Sequence, residues 1–194
     1  MPPEPTRDAV AAVAATSGRG IRTAVVLIAF GWHLVVNVPG TLLHWSGYRW
    51  PWVAAAGWLA FAVAGLVAAA GLFRRASTRP WPLIGVLFLA DAAVLASTPR
   101  ELVFGPANWG WSTLGWFALL VLWNRPASTL LAALAGGALI GLVGVLAVAG
   151  GSAANLSRYA MFIYGTTVLQ MALRLGAGLL DTLARDRAAA AAAR

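Results

Sequence analysis

The sequence predicts an all-α, polytopic membrane protein with six transmembrane helices. Three observations carry that expectation. Of the 194 residues, 60% are hydrophobic and 10% charged, whereas soluble domains run near a quarter charged and under half apolar. A chain of this size keeps too much surface in water to hide such an excess in one core. The apolar residues fall in long runs joined by short polar connections, and the basic residues, 14 arginines and no lysine, sit between those runs.

The elements follow in chain order. Residues 1–20, rich in proline and alanine and carrying Arg7, Asp8 and Arg19, read as a disordered cytoplasmic tail. A helix needs about 20 apolar residues to cross the hydrocarbon core. The first such run is Ile21–Leu43. It is longer than a secretory signal core, and Pro39, Gly40 and Thr41 offer only a weak cleavage site, so it reads as a signal anchor. Further spans are expected at Trp50–Phe73, Trp81–Ser97, Ala107–Trp123, Ala127–Gly150 and Leu156–Leu180, giving a bundle over residues 21–180. Barrel strands alternate apolar and polar residues, whereas Leu130–Val148 is apolar on every side. The connections Leu43–Trp50, Arg74–Pro80, Thr98–Pro106, Asn124–Pro126 and Gly150–Asn155 leave no room for a soluble domain.

Arginine placement sets the orientation. With the N-terminus inside, the cytoplasmic side holds Arg7, Arg19, Arg22, Arg74, Arg75, Arg79, Arg125, Arg185, Arg187 and Arg194. The outer side holds Arg49, Arg100 and Arg158. Ten against three predicts a multi-pass protein of the cell membrane with both termini in the cytoplasm. The sixth run continues without a stop through Leu179 and Leu183 into Ala188–Ala193 and Arg194. Alanine is the best helix former, and Leu175, Leu179 and Leu183 recur at helical spacing. Residues 181–194 are therefore expected to be a cytoplasmic connector helix, rigidly continuous with the sixth span. That helix ends without a cap or terminal glycine, in the manner of a link to a further domain.

Ionisable residues inside spans are costly and mark candidate sites. His33 and Asp91 lie about 12 and about 10 residues from the inner ends of the first and third spans, a similar depth of ~15–18 Å. A His33–Asp91 pair is expected, either as a proton-sensitive switch or as a hydrogen bond that fixes helix packing. Arg174, one to two turns from the inner surface, either snorkels to the headgroups or reaches Asp91. Trp45, Tyr48, Trp50 and Trp52 crowd the first outer loop, and Trp109 and Trp111 open the fourth span. They read as an interfacial belt or as a shallow aromatic pocket for an apolar or cationic ligand. Gly137 and Gly141 form a Gly-x-x-x-Gly pair that lets helices approach, within one chain or between two.

The exclusions are firm. With no cysteine, disulfides, thiolate metal sites, iron–sulfur clusters and cysteine nucleophiles are ruled out. There is no Gly-x-Ser-x-Gly, His-Glu-x-x-His, P-loop or dinucleotide fingerprint. His33 and His44, with no acidic neighbour in sequence, make a poor metal site. Basic residues do not interleave with aromatics as nucleic-acid binding requires. No cofactor and no catalytic activity are expected of this chain alone; its partners are the lipid bilayer and other protein, not nucleic acid.

Six short-looped spans, cytoplasmic termini and a last span running into an Arg/Ala-rich helix (Leu179–Arg194) resemble the N-terminal membrane region of bacterial sensor histidine kinases. The resemblance covers the whole chain in architecture, not in motif. It implies a signal-input module of a two-component system that detects an envelope, lipid or small-molecule signal. It further implies a homodimer paired through the exit helix, which passes rotation or tilt to a cytoplasmic output domain. The family's phosphoacceptor histidine box and ATP-binding boxes are missing, and His33 and His44 both belong to the first span and its edge. Two other readings compete: a small proton- or ion-coupled transporter using Asp91 and His33, and a structural membrane subunit. A transporter calls for inverted repeats and broken spans; Pro39 offers a break, but no three-plus-three repeat is evident. An intramembrane enzyme with His33 and Asp91 as acid and base lacks a nucleophile or metal set.

Overall fold

A computed structural model of the chain describes residues 7–74 and 79–192. Arg75 and Arg194, counted in the orientation, lie outside them, as do residues 1–6 of the expected tail. Among the described residues the protein is all-helical. Helix α1 (Arg7–Trp32) runs through a π-helical turn (His33–Asn37) into α2 (Val38–Leu43). Then come α3 (Pro51–Arg74), α4 (Pro80–Ser97), α5 (Gly110–Val121), α6 (Ala127–Val148) and α7 (Ala153–Ala192).

Among the described residues, four stretches are long and apolar enough to cross a membrane: Arg19–Leu43, Pro51–Arg74, Pro80–Ser97 and Ala127–Val148. Their ends follow the chain's punctuation. Pro51 and Pro80 stand at first helical positions, where the missing N–H is no loss. Gly150 leaves α6 at φ 85°, the left-handed conformation that glycine accepts without strain.

The fourth expected span, Ala107–Trp123, takes a different form. Its helix α5 has 12 residues, all buried, and rises only ~18 Å against a hydrocarbon core of about 30 Å. Helices α1, α3, α4, α6 and α7 form a closed ring in which each packs on the next, and α5 is the axle that touches all five. An apolar surface on every side suits burial in protein as well as in lipid. Here Phe117, Leu119 and Leu120 of α5 meet Val25, Phe61, Leu87 and Leu130 in one core. The helix stops where Arg125 N–H turns back to the Leu122 carbonyl at 2.8 Å, just before Pro126, which has no N–H to donate.

The connections gather at two ends. At one, Tyr48 hydroxyl donates to Ala107 O at 2.5 Å and Arg49 N–H to Ser97 O at 2.7 Å. Gly40 lies so close to the loop before α5 that a Cβ there would sit 2.7 Å from Pro106 O. At the other end Arg174 Nη2 donates to Arg125 O at 2.8 Å.

Two departures concern the termini. The chain is helical from Arg7, inside the segment read as a disordered tail. No proline follows Pro5 in that stretch, and its alanines favour helix. Helix α7 is unbroken over 40 residues, about 60 Å. It is not among the four stretches apolar enough to span, because Asn155, Arg158, Gln170, Arg174 and Asp181 dilute its hydropathy.

Candidate functional site

Pro39 has no N–H, and its ring crowds the carbonyl four residues back, at Val35. The helix accommodates this by widening into the π-turn His33–Asn37, a feature frequent at functional sites. The turn directs both end residues, each fully buried, into the ring interior. His33 Nε2–H donates to Trp58 O of α3 at 3.1 Å. Asn37 Nδ2 donates to His33 Nδ1 at 2.8 Å and to Thr113 Oγ1 of α5 at 2.6 Å. A carbonyl can only accept, so this set fixes the Nε2–H tautomer. The imidazole stacks on Trp58 (centroids 4.8 Å, planes 10° apart) and meets the edges of Trp109 and Phe117. The result is a polar knot that ties α1, α3 and α5 together in an aromatic sleeve. Asn37 Oδ1 and Trp58 Nε1 are left without partners.

Asp91 is not part of the knot. It is 1% exposed on α4 and faces the first residue of α5. Gly110 has no side chain there, and any Cβ would collide with the Asp91 carboxylate. The N-terminal end of a helix carries partial positive charge that favours an acidic neighbour, yet Oδ2 has no hydrogen-bond partner. The expected His33–Asp91 pair is therefore not formed. Both ring nitrogens of His33 are taken by α1 and α3. Equal depth does not set the direction in which a side chain points around its helix.

Arg174 also reaches elsewhere than Asp91. Its guanidinium lies 5.8 Å from the Trp123 ring centroid while Nη2 holds the Arg125 carbonyl. The aromatic set divides. Trp50 and Trp52 are exposed, and Trp52 meets Trp45 edge-on at 5.0 Å. Tyr48 and Trp109 are buried. Burial pushes the Tyr48 hydroxyl above its ordinary pKa, and Thr41 and Trp109, within its reach, oppose that rise. Trp111 stacks on Tyr159 of α7 at 5.2 Å. A groove of about 320 Å³ between α2 and α3 draws only Trp45 from this set, together with Trp58. Gly137 and Gly141 pack inside the chain. Gly137 receives Leu114 of α5 and Gly141 receives the Tyr159 ring, whose hydroxyl donates to Ala138 O.

Sequence reasoning missed Asn37, Trp58, Thr113 and Gln170. Asn37 carried a signal, since it lies four residues after His33 on the same helix face. Thr113 and Gln170 carried none. Gln170, 1% exposed, lies over Gly115 of α5, where a Cβ would overlap its amide. Among the described residues, no three His, Asp or Glu side chains gather to hold a metal ion. Compared in turn with known protein families, with curated proteins and with solved structures, the chain matches none of them.

Proposed function

We propose that the protein is a membrane-embedded signal-input module, crossing the bilayer six times with both termini cytoplasmic, whose last helix passes the signal to an output domain. The observation that carries this reading is α7: 40 unbroken residues that pack on the ring and then run on past the Arg125 end. A rigid helix joined to a sensor transmits a displacement over its whole length, whereas a loop absorbs it. The orientation is supported by Arg22, Arg125 and Arg174 sharing one end of the bundle, as the positive-inside rule expects. On this reading α5 with its flanking turns makes the fourth pass inside protein, where short helices and irregular backbone are tolerated at membrane depth.

The test is a register series. One to four alanines are inserted after Asp181 in the chain joined to a histidine-kinase output domain, and autophosphorylation is measured in membranes. Each insertion turns the downstream helix by about 100°, so output should vary with a period near 3.6 residues. A flat response refutes the reading. The transporter reading has one observation of its own, the buried and unpartnered Asp91 Oδ2; it requires Asp91→Asn to abolish uptake or efflux.

A further inference from the structure

The pocket at the Arg125 end of the bundle is lined largely by polar groups, unlike the apolar groove between α2 and α3. It is a cavity of about 270 Å³ between α1, the turn after α5 and α7, and its polar lining includes Arg22, Asn124, Arg174 and Asp181, with Trp123. Room for roughly nine waters admits a tetrahedral oxyanion with part of the group that carries it. Arg174 is held there on three sides. Trp123 lies beneath its guanidinium, the Arg125 carbonyl takes Nη2, and Gly178 leaves space beside Nη1, where a Cβ would stand 3.3 Å away. Its Nε–H is buried without a hydrogen-bond partner. Two guanidiniums against the one carboxylate of Asp181 leave the lining with a net charge of +1. Guanidinium forks match phosphate oxygens two at a time. Basic pockets between membrane helices on the cytoplasmic side take phosphorylated headgroups.

We infer that this pocket binds the phosphate of an anionic lipid headgroup at the root of α7. Binding rests on the pocket and on the proposed cytoplasmic placement of this end; its bearing on output rests on the reading of α7 as the transmitting helix. A ligand that bridges Arg22 of α1 and Arg174 of α7 fixes the angle at which α7 leaves the bundle.

The test is native mass spectrometry of the full chain titrated with phosphatidylglycerol or with inorganic phosphate, with phosphatidylcholine as the zwitterionic control. One tightly held phosphatidylglycerol is expected. Arg22→Gln or Arg174→Gln should weaken it about fivefold each, and the double variant about 25-fold. Arg100→Gln and Arg158→Gln, outside the pocket, should leave it unchanged. Displacement of the lipid by inorganic phosphate would identify free phosphate as the source of the same group, and resistance to it the headgroup. Wild-type affinity in the double variant, or equal retention of phosphatidylcholine, overturns the inference. Should the double variant fail to fold, the single variants carry the test, and wild-type affinity in both Arg22→Gln and Arg174→Gln overturns the inference. None of these readouts involves output, so failure here and a flat register series are separate results.

Discussion

The polar knot predicts a specific non-additivity. Thr113→Val keeps the shape of a fully buried side chain but removes the oxygen that accepts from Asn37 Nδ2 at 2.6 Å. The amide then has a donor stranded where no water reaches. Such a group costs about 1–3 kcal/mol in a protein interior, and within membrane bundles pair couplings average ~0.6 and reach ~1.7 kcal/mol. Asn37→Leu removes the amide itself, and His33 keeps its bond to Trp58 O. In the double variant no stranded amide exists. Its loss of stability should therefore fall short of the summed single losses by about 0.5–1.5 kcal/mol. The assay is reversible unfolding of the full chain in mixed micelles by a denaturing detergent, followed by circular dichroism. Thr182→Val, which removes an exposed hydroxyl bonded to Gly178 O, combined with Thr113→Val is the additive control. Additivity within ~0.3 kcal/mol for the Asn37–Thr113 pair refutes the knot.

Three further outcomes use the same assay. Gly40→Ala drives a Cβ to 2.7 Å from a backbone oxygen, Pro106 O, and should cost about 1–3 kcal/mol, whereas Gly85→Ala, with open space around it, should stabilise by up to about 1 kcal/mol; equal effects contradict the close approach of α2 to the loop before α5. Burial raises the Tyr48 hydroxyl pKa in the folded state, so its contribution is fully present below the ordinary tyrosine pKa of about 10 and is lost as pH rises beyond it. Tyr48→Phe should blunt that alkaline loss, and an unchanged pH profile counts against it. Asp91→Asn replaces a buried carboxylate whose Oδ2 has no hydrogen-bond partner and should leave stability unchanged or raise it, since buried charge is costly; a loss above ~2 kcal/mol would show that the N-terminal end of α5 needs the acid.

Legibility in the sequence followed the physics of each feature. The four stretches apolar enough to cross a membrane were readable to within a few residues because prolines and arginines punctuate runs that length and hydropathy already define. The role of α5 was not, because Gly110–Val121 is apolar on every face and transfer into lipid or into protein selects the same side chains. Depth along a span was legible for His33 and Asp91, but azimuth was not. Pro39 alters the helical register between His33 and Asn37, so even a correct helical wheel would aim His33 wrongly. The unbroken course of α7 was foreseeable from its alanines and lack of proline. What holds it to the bundle was not, since its anchors, a carbonyl at Arg125 and a bare Gly115, are backbone features that no side-chain pattern announces.

Those anchors decide how α7 can move. Tyr159, Gln170, Arg174 and Ala177 fall on one face at spacings of 11, 4 and 3 residues, within ~60° of one another at 3.6 residues per turn. Three of them are polar: Tyr159 and Arg174 hydrogen-bond to Ala138 O and Arg125 O, and Gln170 packs over Gly115 with its Nε2 unpartnered. Met161, Val168, Leu175 and Leu179 make the opposite, exposed face. Rotation of α7 about its axis withdraws all three polar groups together. Tilt about the Tyr159 end keeps the Tyr159 hydrogen bond and breaks one, that of Arg174, at about 1 kcal/mol, and is the cheaper motion. Freeing that anchor with Arg174→Gln should therefore broaden the distance between spin labels at Leu183 and Thr23, near the Arg125 end. A pair at Met161 and Val35, near the other end, should stay unchanged. Equal broadening of both pairs would mean that α7 turns as a whole, and the hinge at Tyr159 would have to be abandoned.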